Sequence, residues 1–188
     1  MATNALANQI SNRNFLSPIG FKFTLAKYPK VAFFCNSAKI PEITLNTLIQ
    51  PDYLNDIPQP GGKITFGDLN LRFLVDENLE NYMVVHNWIT AFGGSGSLEE
   101  YGVLIRDANG TVDYDRAYSD GSLYVLNSNY GSTAIVKFKN LFPVSLTSLD
   151  FDSTVTDINY FTAEVAFKYT IYDILGTDGK PLYPFTST

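Results

Sequence analysis

Apolar and polar residues alternate along much of the chain, and the alternation predicts strands. Phe21-Lys22-Phe23-Thr24-Leu25-Ala26-Lys27 carries an apolar side chain at every second position. Tyr28-Pro29-Lys30 then reads as a turn, and residues 31–38 as the returning strand of a hairpin. Strand signals resume at 63–66 and in Leu69-Asn70-Leu71-Arg72-Phe73-Leu74-Val75. Weaker ones lie at 103–105 and 111–114, with the turn Asp107-Ala108-Asn109-Gly110 between them. Further strands are expected at 122–126, 133–138 and, briefly, 146–151. The final run, 161–171, is expected to be the longest strand. Phe161, Ala163, Val165, Phe167, Tyr169 and Ile171 share one face, and Thr162, Glu164, Ala166, Lys168 and Thr170 the other. An antiparallel strand with one wet side has this pattern.

Only residues 79–92 change period convincingly. Leu79, Tyr82, Met83, His86, Ile89 and Phe92 recur at spacings of three and four, predicting an amphipathic helix. Asp76 or Asn78 is placed to cap its start, acidic residues there suit the helix dipole, and Gly93-Gly94 stops it. Residues 41–62 fit neither period. Pro41, Pro51, Pro58, Pro60 and Gly61-Gly62 interrupt a stretch that also holds Ile43, Leu45, Leu48, Ile49, Tyr53, Leu54 and Ile57. This reads as a long loop, either touching another chain or packed on its own domain. Residues 1–14 read as a small polar arm or short helix, and 176–188 as a turn with a loose end. The whole, 1–188, is expected to be one mainly β domain: an antiparallel sandwich or barrel with one flanking α-helix.

Composition narrows the function classes. The chain has 188 residues, 45% hydrophobic and 17% charged, an ordinary globular balance. Its one cysteine, Cys35, rules out an internal disulfide and reads as a buried small hydrophobe within an apolar run. A net charge of −6 opposes wrapping of nucleic acid, which needs a basic footprint. No apolar run approaches membrane-spanning length, and residues 1–14 lack a secretory pattern, so assembly in a cytoplasm is expected.

The search for chemistry assigns no catalytic, cofactor-binding or metal-binding residue. His86, the only histidine, sits on the predicted helix stripe and reads as packed core, leaving no partners for a triad or histidine metal site. Residues 92–97 are glycine-rich, but no Lys-Ser or Lys-Thr follows to make a phosphate loop. Asp107, Asn109, Thr111 and Asp113 alternate like a calcium loop, yet the glycine falls at Gly110 and the twelfth position is Tyr118. Asp150, Asp152 and Asp157 offer carboxylates for acid–base work, but nothing in the sequence builds a cleft around them, and they read as surface residues. Asn109-Gly110-Thr111 matches the glycosylation sequon without a secretory signal.

The order of several short runs is more specific. Asn36-Ser37-Ala38-Lys39-Ile40-Pro41 is followed by Gly61-Gly62-Lys63-Ile64-Thr65-Phe66-Gly67-Asp68-Leu69, by Asp76-Glu77-Asn78, and by a helix with Trp88-Ile89. Leu141-Phe142-Pro143-Val144-Ser145-Leu146 and then 160–172 complete the series. Together they resemble the tail tube proteins of T4-like contractile-tailed bacteriophages, the inner-tube family of contractile injection systems, over residues 14–175. The resemblance implies a non-enzymatic structural protein without cofactors, forming hexameric rings that stack into a conduit for DNA. It implies one continuous barrel closed across six copies, which satisfies sheet edges that a lone subunit leaves open. It further implies that 41–62 is an inter-ring loop with Ile49, Tyr53, Leu54 and Ile57 in the contact. The wet face Thr162, Glu164, Lys168 and Thr170 would line the lumen or the exterior. Residues 95–129, longer than in shorter members, would be an insertion decorating the outside or meeting the sheath.

The implied partners are further copies of the chain, the tail sheath protein, baseplate tube proteins, and in the lumen the tape measure protein and transiting DNA. The implied location is the virion, with no membrane anchor. An acidic or neutral bore would let phosphates pass without trapping them. Two neighbouring readings share the fold: a baseplate protein that initiates the tube, and the inner tube of a secretion or bacteriocin particle. A reading from another class is a monomeric β-sandwich that binds a small ligand or sugar.

Overall fold

Hydrophobic alternation specifies which face of a strand is buried but not which strand it pairs with, and the fold turns on that distinction. The computed structural model describes residues 15–29, 31, 35–93, 98–106, 109–152, 154 and 160–182. Nine strands occur among them: β1 (Phe21–Leu25), β2 (Cys35–Ala38), β3 (Ile43–Gln50), β4 (Ile57–Phe66), β5 (Leu69–Leu74), β6 (Ser119–Leu126), β7 (Ser132–Leu146), β8 (Thr162–Lys168) and β9 (Ile171–Gly176). Between β5 and β6 lie helices α1 (Glu80–Gly93) and α2 (Leu98–Ile105) and a 3-10 turn (Tyr114–Ala117).

Seven strands run in the antiparallel order β1-β6-β7-β8-β5-β2, with β9 added against β7, and β3 and β4 form a separate pair. The 15-residue β7 belongs to two sheets. Its first part pairs with β6 and β9, as in Val136↔Leu123 and Val136↔Ile174. Its second part pairs with β8, as in Phe142↔Lys168 and Leu146↔Val165. At the irregularity near the end of the first part Asn140 takes a left-handed φ of 56°, and its N–H donates to the Asp120 carboxylate. The two sheets enclose Phe23, Leu25, Leu69, Leu71, Phe73, Leu123, Val136, Phe138, Leu141, Ala163, Val165 and Phe167, and α1 contributes Val85 and Trp88 to the same core. The Trp88 indole N–H is satisfied in the interior by the Ala117 carbonyl at 2.9 Å, which ties α1 to the 3-10 turn.

The fold is mainly β and antiparallel, as the alternation predicts, but several local expectations are corrected. β1 and β2 do not form a hairpin. β1 pairs with β6 (Phe21↔Val125) and β2 with β5 (Cys35↔Phe73), because the alternation carried no information about partners. Residues 98–105, whose 103–105 segment reads as strand, are helical, and only a single bridge, Arg106↔Val112, pairs in that region. The turn residues Asp107 and Ala108 lie outside the described residues. The expected final strand is broken at Tyr169 and Thr170 into β8 and β9, and β7 is the longest. Residues 147–151 continue past β7 without strand structure. The stretch 95–129 carries both α2 and β6, and β6 stands inside the sheet between β1 and β7.

Helix α1 is where expected but differently phased. It buries Asn81, Val85, Trp88 and Ala91, and leaves Met83 and His86 exposed. A polar residue on the buried face hid the true phase. Asn81 is there because its side chain saturates the backbone: Nδ2 donates to the Leu74 carbonyl at 2.7 Å and Oδ1 accepts from the Asp76 N–H at 3.1 Å. The chain enters the helix through Leu79, whose φ is 58° and whose N–H donates to the Asp76 carbonyl. Cys35 is only half-buried against the core, and burial pushes its thiol up to about 11. The arm 1–14 and the end 183–188 lie outside the described residues.

Candidate functional site

The segment 41–62, expected as a loop, is the greater part of a β-hairpin. β3 and β4 pair from Ile43↔Phe66 to Gln50↔Ile57, with an irregularity between Leu45 and Thr47. The β-branched run Ile43-Thr44, Thr47 and Ile49 suits extended backbone. The prolines that disguised β4 are tolerated because each strand of a two-stranded ladder is an edge strand, where a missing N–H is harmless. Pro58 and Pro60 face Ile49 and Thr47 across the ladder. At the irregularity Gly61 is required, since a methyl group there would collide with the Asn46 carbonyl.

What sets this hairpin apart is that, beyond its root, its strands are exposed on both faces among the described residues. All eight residues of β3 are exposed, and of β4 only Gly61 and Phe66 are partly covered. Ile43, Leu45, Leu48, Ile49, Ile57 and Ile64 are exposed on its strands, and Tyr53 and Leu54 at its tip are 97% and 90% exposed. Two strands alone are marginal in water. An apolar surface of this size on a monomer marks a contact site. Full burial of one such side chain contributes about 1.5–3 kcal/mol. The four expected contact residues Ile49, Tyr53, Leu54 and Ile57 therefore lie together at the outer end of one projecting element.

The root of the hairpin is firmly held. The Gly67 N–H donates to the Glu42 carbonyl at 3.0 Å and closes the base. The Tyr169 hydroxyl donates to the Gly67 carbonyl at 3.0 Å, and the Tyr172 hydroxyl to the Pro41 carbonyl at 3.3 Å. Phe66, the last residue of β4, packs against both tyrosine rings, and so does Phe138 from β7. Burial, then the neighbouring Tyr172 and Asp68, push the Tyr169 phenol up to about 12, so it stays a neutral donor. Sequence reasoning missed both tyrosines. Alternation placed Tyr169 on the apolar face but gave no hint of a hydroxyl partner 102 residues away.

One face of β8 is exposed and the other buried. Thr162, Glu164 and Lys168 face solvent while Ala163, Val165 and Phe167 are buried, and exposed Thr170 follows in the break. Its charges are matched: Glu164 lies 3.9 Å from Arg72, and Lys168 Nζ is 2.6 Å from Asp68. At these exposures such pairs stabilise little, but they balance the sign of the face.

The candidates for chemistry are not brought together. His86 is exposed beside Asn87, not packed in the core. Asp150 and Asp152 are exposed; two hydrogen bonds from Thr154 hold the Asp152 carboxyl below its usual range. Asp113 accepts from the Asp115 N–H and caps the 3-10 turn, a structural use of that carboxylate. Asp157, and residues 94–97 of the glycine-rich run, lie outside the described residues. Among the described residues no three potential metal ligands converge, and no helix is long and apolar enough to cross a membrane.

Comparison with known proteins accords with this geometry. The family model described as "Phage tail tube protein" matches residues 4–175. No curated protein matches the chain. Among solved structures, the anti-feeding prophage cap, which terminates the AFP tube, superposes with a TM-score of 0.62 at 18% identity, covering 93% of this chain and 100% of that one. The extended sheath–tube complex of the extracellular contractile injection system PVC gives a TM-score of 0.55 at 18% identity, with 88% and 94% covered. The PVC sheath/tube terminator gives 0.54 at 19% identity, with 88% and 100% covered. At these identities the likeness is one of fold.

Proposed function

The chain belongs to the phage tail tube protein family, and on that premise we propose that it builds the inner tube of a contractile tail, a stack of hexameric rings that conducts DNA into the host. The observation that carries the proposal is the unsupported apolar hairpin β3–β4. A folded chain that holds out Ile49, Tyr53, Leu54 and Ile57 on a well-anchored stalk is built to bury them against a neighbour, and the adjacent ring is that neighbour.

The sheet supports closure within a ring. In the described residues β1 and β2 each have one strand partner, and β9 pairs as a strand only with β7. Sharing such edges among six copies in one cylinder removes them. The paired charges on the β8 face suit a conduit, because cations already matched by Asp68 and Glu164 have little to offer passing phosphates. In this arrangement α1 and α2 cover the outside, where a sheath grips; baseplate tube proteins seat the first ring; and tape measure protein and DNA occupy the bore in turn. The product resides in the virion after assembly in the host cytoplasm.

Negative-stain microscopy of the purified protein tests the reading. Hollow rods of stacked rings are the expected result. A monodisperse monomer at high concentration, stabilised by a small ligand, would overturn it.

A further inference from the structure

A second apolar feature lies away from the hairpin. The end of β5 and the approach to α1 form one wall of a notch of about 730 Å³, and the approach to β8 forms the other. Leu74, Val75 and Leu79 line one side; Phe151, Tyr160 and Phe161 line the other. Phe151 and Tyr160 are 74% and 80% exposed, and the Phe151 and Phe161 rings meet at 4.7 Å. The floor is preformed. Asn81 bonds both the Leu74 carbonyl and the Asp76 N–H from below, and the Val75 N–H donates to the Phe161 carbonyl at 2.8 Å.

The position of the notch bears on what would fill it. β5 and β8 pair from Leu69↔Phe167 to Leu74↔Thr162. The hairpin root, at Gly67 and Tyr169, abuts the Leu69 end of this ladder, and the notch abuts the Leu74 end. The two features are thus separated by the length of a six-residue strand, about 17 Å at ~3.3 Å per residue. A chain with a projecting apolar tip at one end and an apolar recess at the other is complementary to itself by translation. That is the condition for an open, head-to-tail stack.

Resting on the tube reading above, we propose that the notch receives Tyr53 and Leu54 from the hairpin of a second copy of this chain in the adjacent ring. An aromatic and an aliphatic side chain then bury against Leu79, Phe151, Tyr160 and Phe161. Charges do not drive the contact: Asp52 and Asp56 flank the tip, and Asp76 and Glu77 border the notch. Stacking through this pair therefore strengthens as salt rises, the opposite of an ion-pair contact.

The test uses two variants of the full chain and asks whether they complement each other. Tyr53→Asp with Leu54→Asp removes the tip, and Phe151→Ser with Tyr160→Ser blunts the notch. The wild type forms rods, each variant alone forms rings that do not stack, and a mixture of the two gives particles two rings tall. Normal rods from the notch variant, or no pairing in the mixture, overturn the notch while leaving the tube reading intact. Absence of rings and rods from the wild type overturns both. A photo-crosslinker at position 53 in otherwise wild-type rods provides a measurement independent of how the notch variant folds. Crosslinks to the peptide holding Phe151 or Tyr160 are expected, and crosslinks only elsewhere overturn the proposal.

Discussion

Tyr169 and Tyr172 grip opposite roots of one hairpin. The first donates its hydroxyl to the carbonyl of Gly67, directly after β4, and the second to the carbonyl of Pro41, just ahead of β3. Their rings also share Phe66 and Phe138 as neighbours. Because β9 is zipped along β7 from Ala134↔Gly176 to Lys139↔Ile171, the aim of an otherwise unsupported arm is referred to the rigid centre of the sheet. A projecting element 97% exposed at its tip needs such an anchor if its tip is to be held in one place relative to the sheet.

Replacing both tyrosines with phenylalanine removes two hydroxyl donors and leaves the aromatic packing. The expected loss of stability is about 1–3 kcal/mol in total, measured by urea denaturation. Amide exchange at the root should quicken, above all at Gly67, whose N–H closes the base. Alkali supplies a second signature. The Tyr169 phenol ionises near 10.0 when free and at about 12 in the fold, so its contribution is full below pH 10 and lost as pH rises toward 12. The Tyr169→Phe variant should be less sensitive to alkali across that window. Unchanged exchange at Gly67 would show that the hydroxyls do not set the hairpin.

Aspartate at Ile49, Tyr53, Leu54 and Ile57 should separate folding from assembly. These side chains are exposed, so the free energy of unfolding should change by no more than about 0.5 kcal/mol per site. Polymerisation should disappear, because charged groups cannot be buried without partners. Sedimentation and microscopy read the two effects separately. Rods of normal length from this variant would remove the hairpin from the stacking contact.

The sequence was most legible where one physical rule acted alone. Ala163, Val165 and Phe167 are buried and Thr162, Glu164 and Lys168 exposed, because a strand packed on one face has no alternative. It was least legible where two demands competed. Pro58 and Pro60 suggested a loop because proline weakens a ladder, but on a free-standing hairpin every strand is an edge, and the penalty vanishes. Asn81 disguised the buried face of α1, since the need to satisfy the Leu74 carbonyl outweighed the preference for an apolar side chain. Partners at long range, such as β1 with β6 or Tyr172 with Pro41, leave no local trace in the residues that form them.

Asn81 also yields a stability prediction. Its two hydrogen bonds satisfy backbone groups at the end of β5 and the approach to α1, and its side chain is 1% exposed. Asn81→Leu keeps the branched four-atom side chain and deprives both groups of their partner. The expected cost is about 2–4 kcal/mol, from two backbone groups left without partners, measured by chemical denaturation. Because Asn81 also supports the notch floor, rod formation should fall with it. A neutral effect on stability would mean that water reaches both backbone groups.

Cys35 is a built-in probe of the edge strand β2. It is the chain's only thiol, so labelling reports one position. Burial pushes its pKa up to about 11, against 9.0 for a free thiol, which depletes the reactive thiolate at pH 8 by roughly a hundredfold. The higher nucleophilicity of a higher-pKa thiolate offsets part of that depletion, so labelling of the folded chain by a thiol reagent should be at least about tenfold slower than of the urea-unfolded chain, with steric burial adding to the difference. The residual rate measures how often β2 parts from β5, since Cys35 pairs with Phe73 at the margin of the sheet. If ring closure covers this margin, β2 is held from both sides, and labelling should slow again in assembled rods by about tenfold or more. An equal rate in rods and in free chains would place the seam between copies at another edge, leaving β1 and β9 as the strands that join neighbours.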